Sequence, residues 1–208
     1  MRFWNFLVFR GNPTQSGMIP APEPSDETLF ETMRSGDEAA FVALYRRRQG
    51  AVYRYVLQMS GSATTAEEVT QEVFVLLIRR AGGFNAGRGP LLGWLLGAAR
   101  HVLRKMAARN GMYVPLEEGD EPESGAPAAG HPLEDLTRGE RLEAVQQAVQ
   151  SLPERYREAV VLCDLEELSY EDAARVLGCA VGTVRSRLHR GRALVAGKLR
   201  ARLMTEER

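Results

Sequence analysis

Cysteine, histidine and long apolar runs are all scarce in this chain of 208 residues, and each scarcity closes off a class of function. The two cysteines, Cys163 and Cys179, form no Cys-x-x-Cys pair, which argues against a disulfide framework and a zinc site and fits a reducing cytoplasm. The three histidines, His101, His131 and His189, are scattered, so no metal ligand set emerges. With no nucleophile elbow and no phosphate-binding loop either, neither a cofactor, a small-molecule substrate nor an enzyme activity is expected. The most conspicuous apolar run near the start, Phe3 to Phe9, is far short of the ~20 residues that span a bilayer, and no small-residue cleavage site clearly follows it. Net charge is missing as well. With 27 Lys and Arg against 27 Asp and Glu, the formal charge is zero and gives no global pull toward polyanions.

What is present is an ordinary globular composition, 44% hydrophobic and 26% charged, with the charge segregated along the chain. Residues 1–25 are rich in Pro and Gly after the first apolar run and read as a disordered extension. From 26 to 109 the apolar residues recur at helical spacing. Ser35-Gly-Asp-Glu38 and Thr65-Ala-Glu-Glu68 have the form of capping boxes, followed by stripes through Leu44, Val52 and Val56 and through Val69, Val73 and Leu77. Pro90 suits the start of a third helix, whose apolar stripe is Leu95, Ala99, Val102 and Met106. Its other face carries Arg100 and Arg104, with Lys105 and Arg109 beside them; alone, that is equally a solvated face or a polyanion surface. Residues 110–137 hold no Lys or Arg and seven acidic side chains, with four Gly and four Pro up to Pro132: an acidic, flexible linker. Helical pattern returns over 138–203 with Leu142, Val145, Val149 and Leu152, and 204–208 form a tail. The expected architecture is all-α, two small helical domains joined by the linker.

The second domain contains the most specific pattern. Ser169-Tyr-Glu-Asp172 opens a short helix, Gly178 suits a left-handed turn, and a second helix starts near Val181. Ala174 is small enough to let the two helices cross closely. Val181, Val184 and Leu188 face inward, which leaves Arg185, Ser186, His189 and Arg190 on one outward strip, flanked by Arg187 and Arg192. From Val181 to Arg202 there is no acidic residue. A solvated basic helix would also be acid-free, but the joint occurrence of helix, turn glycine, small residue and cationic strip favours a helix-turn-helix reading the DNA major groove, where guanidinium pairs bidentately with guanine.

Leu152 to Val195 (LPERYREAVVLCDLEELSYEDAARVLGCAVGTVRSRLHRGRALV) closely resembles the promoter-reading C-terminal domain of sigma-70 family factors of the extracytoplasmic-function (ECF) group. Gly36 to Arg48, Ala66 to Arg80 and Trp94 to Arg109 resemble that family's other conserved domain. The resemblance implies an RNA polymerase sigma factor: core RNA polymerase and promoter DNA as partners, an anti-sigma factor as a further one in many members, and no catalytic site. It implies that Glu68, Gln71, Glu72 and Phe74 face the polymerase. It also implies that Phe84, Arg100, His101, Arg104, Lys105 and Arg109 meet the separated strands of the −10 element, and that Arg185, Ser186, Arg187, His189, Arg190 and Arg192 meet the −35 element. The chain departs from the family pattern at Ala98-Ala99-Arg100-His101, where Ile-Ala-Arg-Asn is usual, and at Ala180, a weak cap before the reading helix. The alternative is a free-standing helix-turn-helix regulator that binds duplex DNA without polymerase; it has no use for the Ala66 to Arg80 helix.

Overall fold

The computed structural model describes residues 23–79, 83–109 and 138–206; the N-terminal extension and the acidic linker lie outside these, as do the side chains of Arg138, Glu140, Arg141 and Arg202 to Glu206. Among the described residues all regular structure is helical: α1 (Asp26–Arg34), α2 (Glu38–Ser60), α3 (Ala63–Arg79), a single 3-10 turn (Ala86–Arg88), α4 (Leu91–Arg109), α5 (Arg138–Gln150), α6 (Glu154–Val160), α7 (Tyr170–Leu177) and α8 (Val181–Glu206). One π-helical turn, Val161–Leu165, extends α6.

Helices α1 to α4 bury Leu44, Val52, Val56, Val69, Val73, Leu77, Leu95 and Ala99 completely, as the helical spacing predicts, and Phe30 of α1 joins them, while Val102 and Met106 are half-buried. Two starts are displaced from their expected positions. Gly36, at φ 98°, turns the chain so that Asp37 caps α2, its Oδ1 accepting from the Ala39 and Ala40 amides at 2.8 and 3.1 Å; Ser35 instead ends α1. Thr65 lies inside α3, and its amide donates to Ser62 Oγ at 3.2 Å. The buried Asp26 carboxylate is held by Arg47 at 3.2 Å and by Arg48.

Helices α5 to α8 form a second core through Val149, Leu152, Val160, Leu162, Leu177, Val184 and Leu188. Leu142, expected on that stripe, is exposed because the inward face of α5 is carried by Ala144, Val145, Ala148 and Val149. Gly191 is where α8 meets α6: a Cβ there would lie 2.6 Å from Val160 Cγ2 and 3.2 Å from the Tyr156 carbonyl oxygen, so no larger residue fits. The two cores are not separate. α4 packs on α7 and α2 on α6, giving one continuous apolar interior.

Candidate nucleic-acid interface

The helix-turn-helix is built from local chemistry. Ser169 Oγ accepts from the Asp172 amide at 3.0 Å and donates to Asp172 Oδ2 at 2.6 Å, closing the first turn of α7. Gly178 takes φ 69° and ψ 36°, which returns its amide to the Ala174 carbonyl at 2.8 Å and redirects the chain into α8. Ala174, Val184 and Leu188 are buried at the crossing, while Val181 is half-buried. On the far side of α8, Arg185, Ser186 and His189 are exposed, and Arg187 and Arg190 are half-buried at its edges. The Arg185 guanidinium lies 5.7 Å over the Tyr170 ring, which lends it a firm starting position. Ser186 Oγ donates back to the Thr183 carbonyl at 3.0 Å.

Arg192 is differently placed. Its Nε and Nη2 donate to Asp164 at 2.9 and 2.5 Å, and that hydrogen-bonded carboxylate holds the guanidinium above its ordinary pKa against the opposing effect of burial. It ties α8 to the π-turn.

The second cationic surface lies on α4. His101, Lys105 and Arg109 are exposed, Arg104 is half-buried, and Arg100 is turned inward onto Glu158 of α6. Burial alone would weaken the Arg100 proton affinity; the Glu158 carboxylate outweighs it and keeps the guanidinium charged. Phe84 is half-buried and packs edge-on against Phe30 with ring centroids 4.9 Å apart, which makes it part of the wall of the site rather than a free stacking platform. Trp94 packs against the core beside it. A cleft of about 570 Å³ opens between Phe84, Trp94 and His101 on one domain and Asp172, Arg175 and Val176 on the other.

On α3, Glu68, Gln71 and Glu72 are exposed together on one face. Phe74 is not with them. It is 2% exposed, with its ring 4.8 Å from that of Tyr45 and 6.5 Å from that of Phe41, so the expectation that it faces a partner is corrected: two residues past Glu72, about 200° round the helix, it is turned into the core.

Sequence reasoning missed Glu158, Glu166, Arg157 and Tyr55, the residues that join the domains. Glu158 and Arg100 stand 58 residues apart, Arg54 and Glu166 112, and no local pattern pairs them. Arg54 donates through Nε and Nη2 to Glu166 at 3.0 and 2.9 Å. Arg157 reaches from α6 to the carbonyls of Gln58 and Met59, at 3.4 and 3.1 Å, in the last turn of α2.

Comparison with known proteins places both domains in one family. Residues 44–112 match the model for sigma-70 region 2, and residues 142–195 that for sigma-70 region 4. The chain belongs to the sigma-70 family. Among curated relatives, this sigma factor is 37% identical over 177 residues to the ECF RNA polymerase sigma factor SigE of Mycolicibacterium smegmatis, covering 83% of this chain and 67% of the relative. It is 33% identical to the RNA polymerase sigma-H factor of Pseudomonas aeruginosa, covering 82% of this chain and 91% of that one. The ECF RNA polymerase sigma-E factor of Escherichia coli is 31% identical, with 84% of this chain and 94% of that one covered. Of solved structures, RpoE of Bartonella quintana, in complex with the anti-sigma factor NepR, superposes with a TM-score of 0.60 at 26% identity, over 77% of this chain and 96% of that one. CnrH, in complex with the cytosolic domain of CnrY, shares the fold at a TM-score of 0.63 and 24% identity, over 86% of this chain and 99% of that one. The sigma factor is therefore an ECF-type transcription initiation factor with no enzymatic role, and the free-standing regulator is disfavoured by the region 2 match. No described helix is long and apolar enough to cross a membrane.

Proposed function

We propose that this sigma factor works in the cytoplasm, docks on core RNA polymerase through the exposed face of α3, namely Glu68, Gln71 and Glu72, and reads promoters with two cationic surfaces. The α4 surface, with Arg100, His101, Arg104, Lys105 and Arg109, takes up the separated strands of the −10 element. Cations there neutralise phosphate, and the cleft beside Phe84 and Trp94 receives an unstacked base, which offsets a few kcal/mol of unstacking. The α8 strip enters the major groove of the −35 element, with Arg185, Ser186, His189 and Arg190 toward base edges and Arg187 toward phosphate. The observation that carries this reading is the exposed Arg185, Ser186, His189 strip, standing outward on a helix locked by Val184 and Leu188. The acidic segment 110–137 is proposed as the connection that lets the two surfaces reach two promoter elements. An anti-sigma protein, the kind of partner seen on the Bartonella relative, is proposed as a regulator of this chain also.

Run-off transcription with purified core polymerase tests the reading. Promoter-specific transcripts should appear only with the sigma factor added, while the sigma factor alone binds promoter duplex weakly and with steep salt dependence. Tight, specific duplex binding by the isolated chain without any gain in polymerase initiation would instead establish the free-standing regulator.

A further inference from the structure

Tyr170, half-buried at the first position of α7, meets two arginines of α8 at once. The Arg185 guanidinium lies 5.7 Å over its ring, and its hydroxyl turns to the Arg192 guanidinium, where it helps to hold the proton. Arg185 and Arg192 stand seven residues apart, two helical turns, and so share nearly one side of α8. Arg192 is itself fastened, since Asp164, with a side chain 5% exposed, accepts from its Nε and Nη2 at 2.9 and 2.5 Å. The backbone under Tyr170 is fixed as well, by the Ser169 cap that accepts from the Asp172 amide at 3.0 Å. The ring is therefore held at both ends, and the far end of Arg185 rests on it.

An arginine that pairs bidentately with guanine must present its fork in one plane and at one height. Exposed on a helix, such a long side chain wanders among rotamers and gives up that freedom only when DNA arrives. A ring face attracts the guanidinium, removes part of the freedom beforehand and leaves the N–H edges of the stacked fork available for hydrogen bonds. The benefit falls on the contact that needs one geometry, so it shows as preference at one base pair rather than as general affinity.

Resting on the assignment of the outward α8 strip to the −35 element, we propose that Tyr170 is a positioning residue for base reading: its ring, braced through Arg192 on Asp164, seats the Arg185 guanidinium and sharpens the choice of the one base pair that Arg185 reads. Tyr170 acts through Arg185 and selects no base itself.

A library of promoters randomised over the −35 element is transcribed by holoenzymes carrying the unaltered chain, Arg185→Ala, Tyr170→Phe, Tyr170→Leu, and Arg185→Ala combined with Tyr170→Leu. Preference is a ratio between promoters, so a lower fraction of folded protein does not imitate the effect. Tyr170→Met gives a second ringless side chain should Tyr170→Leu fold poorly. Arg185→Ala should relax one base pair. Tyr170→Leu should lower preference at that same base pair roughly two- to fivefold, the factor to which an exposed cation–π contact corresponds, and leave the other positions unchanged. Tyr170→Phe, which keeps the ring, should stay within about twofold of the unaltered chain. Once Arg185 is gone, adding Tyr170→Leu should change preference nowhere. The proposal is overturned if the ringless variants keep the preference that Arg185→Ala relaxes, if they relax several base pairs together, or if their effect persists without Arg185. Where Arg185→Ala itself relaxes no base pair, the assignment of the strip to base edges is what fails, and the seat proposed for Arg185 falls with it.

Discussion

Arginines that look alike in the sequence do different work in the structure. Arg185 stands exposed on the outward strip of α8, Arg190 at its edge, and Arg192 is fastened to Asp164, whose side chain is 5% exposed. Replacing Arg185 or Arg190 with Ala should cost about 1–3 kcal/mol at one promoter base pair and relax preference there alone, as read from a promoter library transcribed by each holoenzyme. Replacing Arg192 with Ala should lower the melting temperature as well, because it strands the Asp164 carboxylate with a loss of about 1–3 kcal/mol of stability; a double-mutant cycle with Asp164→Ala should show the two to be coupled. Glu166 gives the pH-dependent case. Burial raises its pKa above the ordinary 4.5, and Arg54 only partly reverses this. A carboxyl whose folded pKa is raised favours the fold while protonated, so its contribution is complete below about 4.5 and is lost as pH climbs through the raised value. Glu166→Gln should therefore be at least as stable as the unaltered chain at pH 7, and should flatten the fall in melting temperature on going from pH 4.5 toward neutrality. A lower melting temperature for that variant at neutral pH would show that the Arg54 pair outweighs the cost of burial.

At the scale of single helices, most of the fold was legible because each helix carries its own periodicity. The α2 and α3 stripes and the first half of the α4 stripe, Leu95 and Ala99, are buried where spacing places them, while Val102 and Met106 are half-buried, and the α7 helix is capped by Ser169 and Gly178 through bonds to its own backbone. The helix starts were less legible. Ser35 and Asp37 both offer a capping oxygen within two positions, and the choice between them is made by the backbone turn at Gly36, which composition does not reveal. On α3 the chain's own geometry divides two roles that the resemblance had grouped. Gln71→Lys with Glu72→Lys should abolish pull-down of core polymerase while leaving helicity and melting unchanged, since both side chains are exposed. Phe74→Ala should do the reverse, costing about 3–5 kcal/mol of stability through the cavity left against Tyr45 and Phe41. If Phe74→Ala melts normally and loses only polymerase, its ring reaches the partner after all.

For the molecule as a whole, the sequence reports two helical domains with basic faces on either side of an acidic linker, and the structure reports that the domains share an interior. That union could not be read from periodicity, because the bonds that make it run between positions 58 to 112 apart and involve residue types, Glu, Arg and Tyr, that are unremarkable on a helix surface. The Arg157 guanidinium makes the point most plainly, for it bonds the Leu152 carbonyl of its own half at 2.9 Å and the closing carbonyls of α2 in the other. Halves that finish each other's helices are not interchangeable parts. A hybrid that joins this first domain to the second domain of a relative without an arginine at that place would leave the closing carbonyls of α2 without their guanidinium partner, so the two halves would meet less firmly than in either parent.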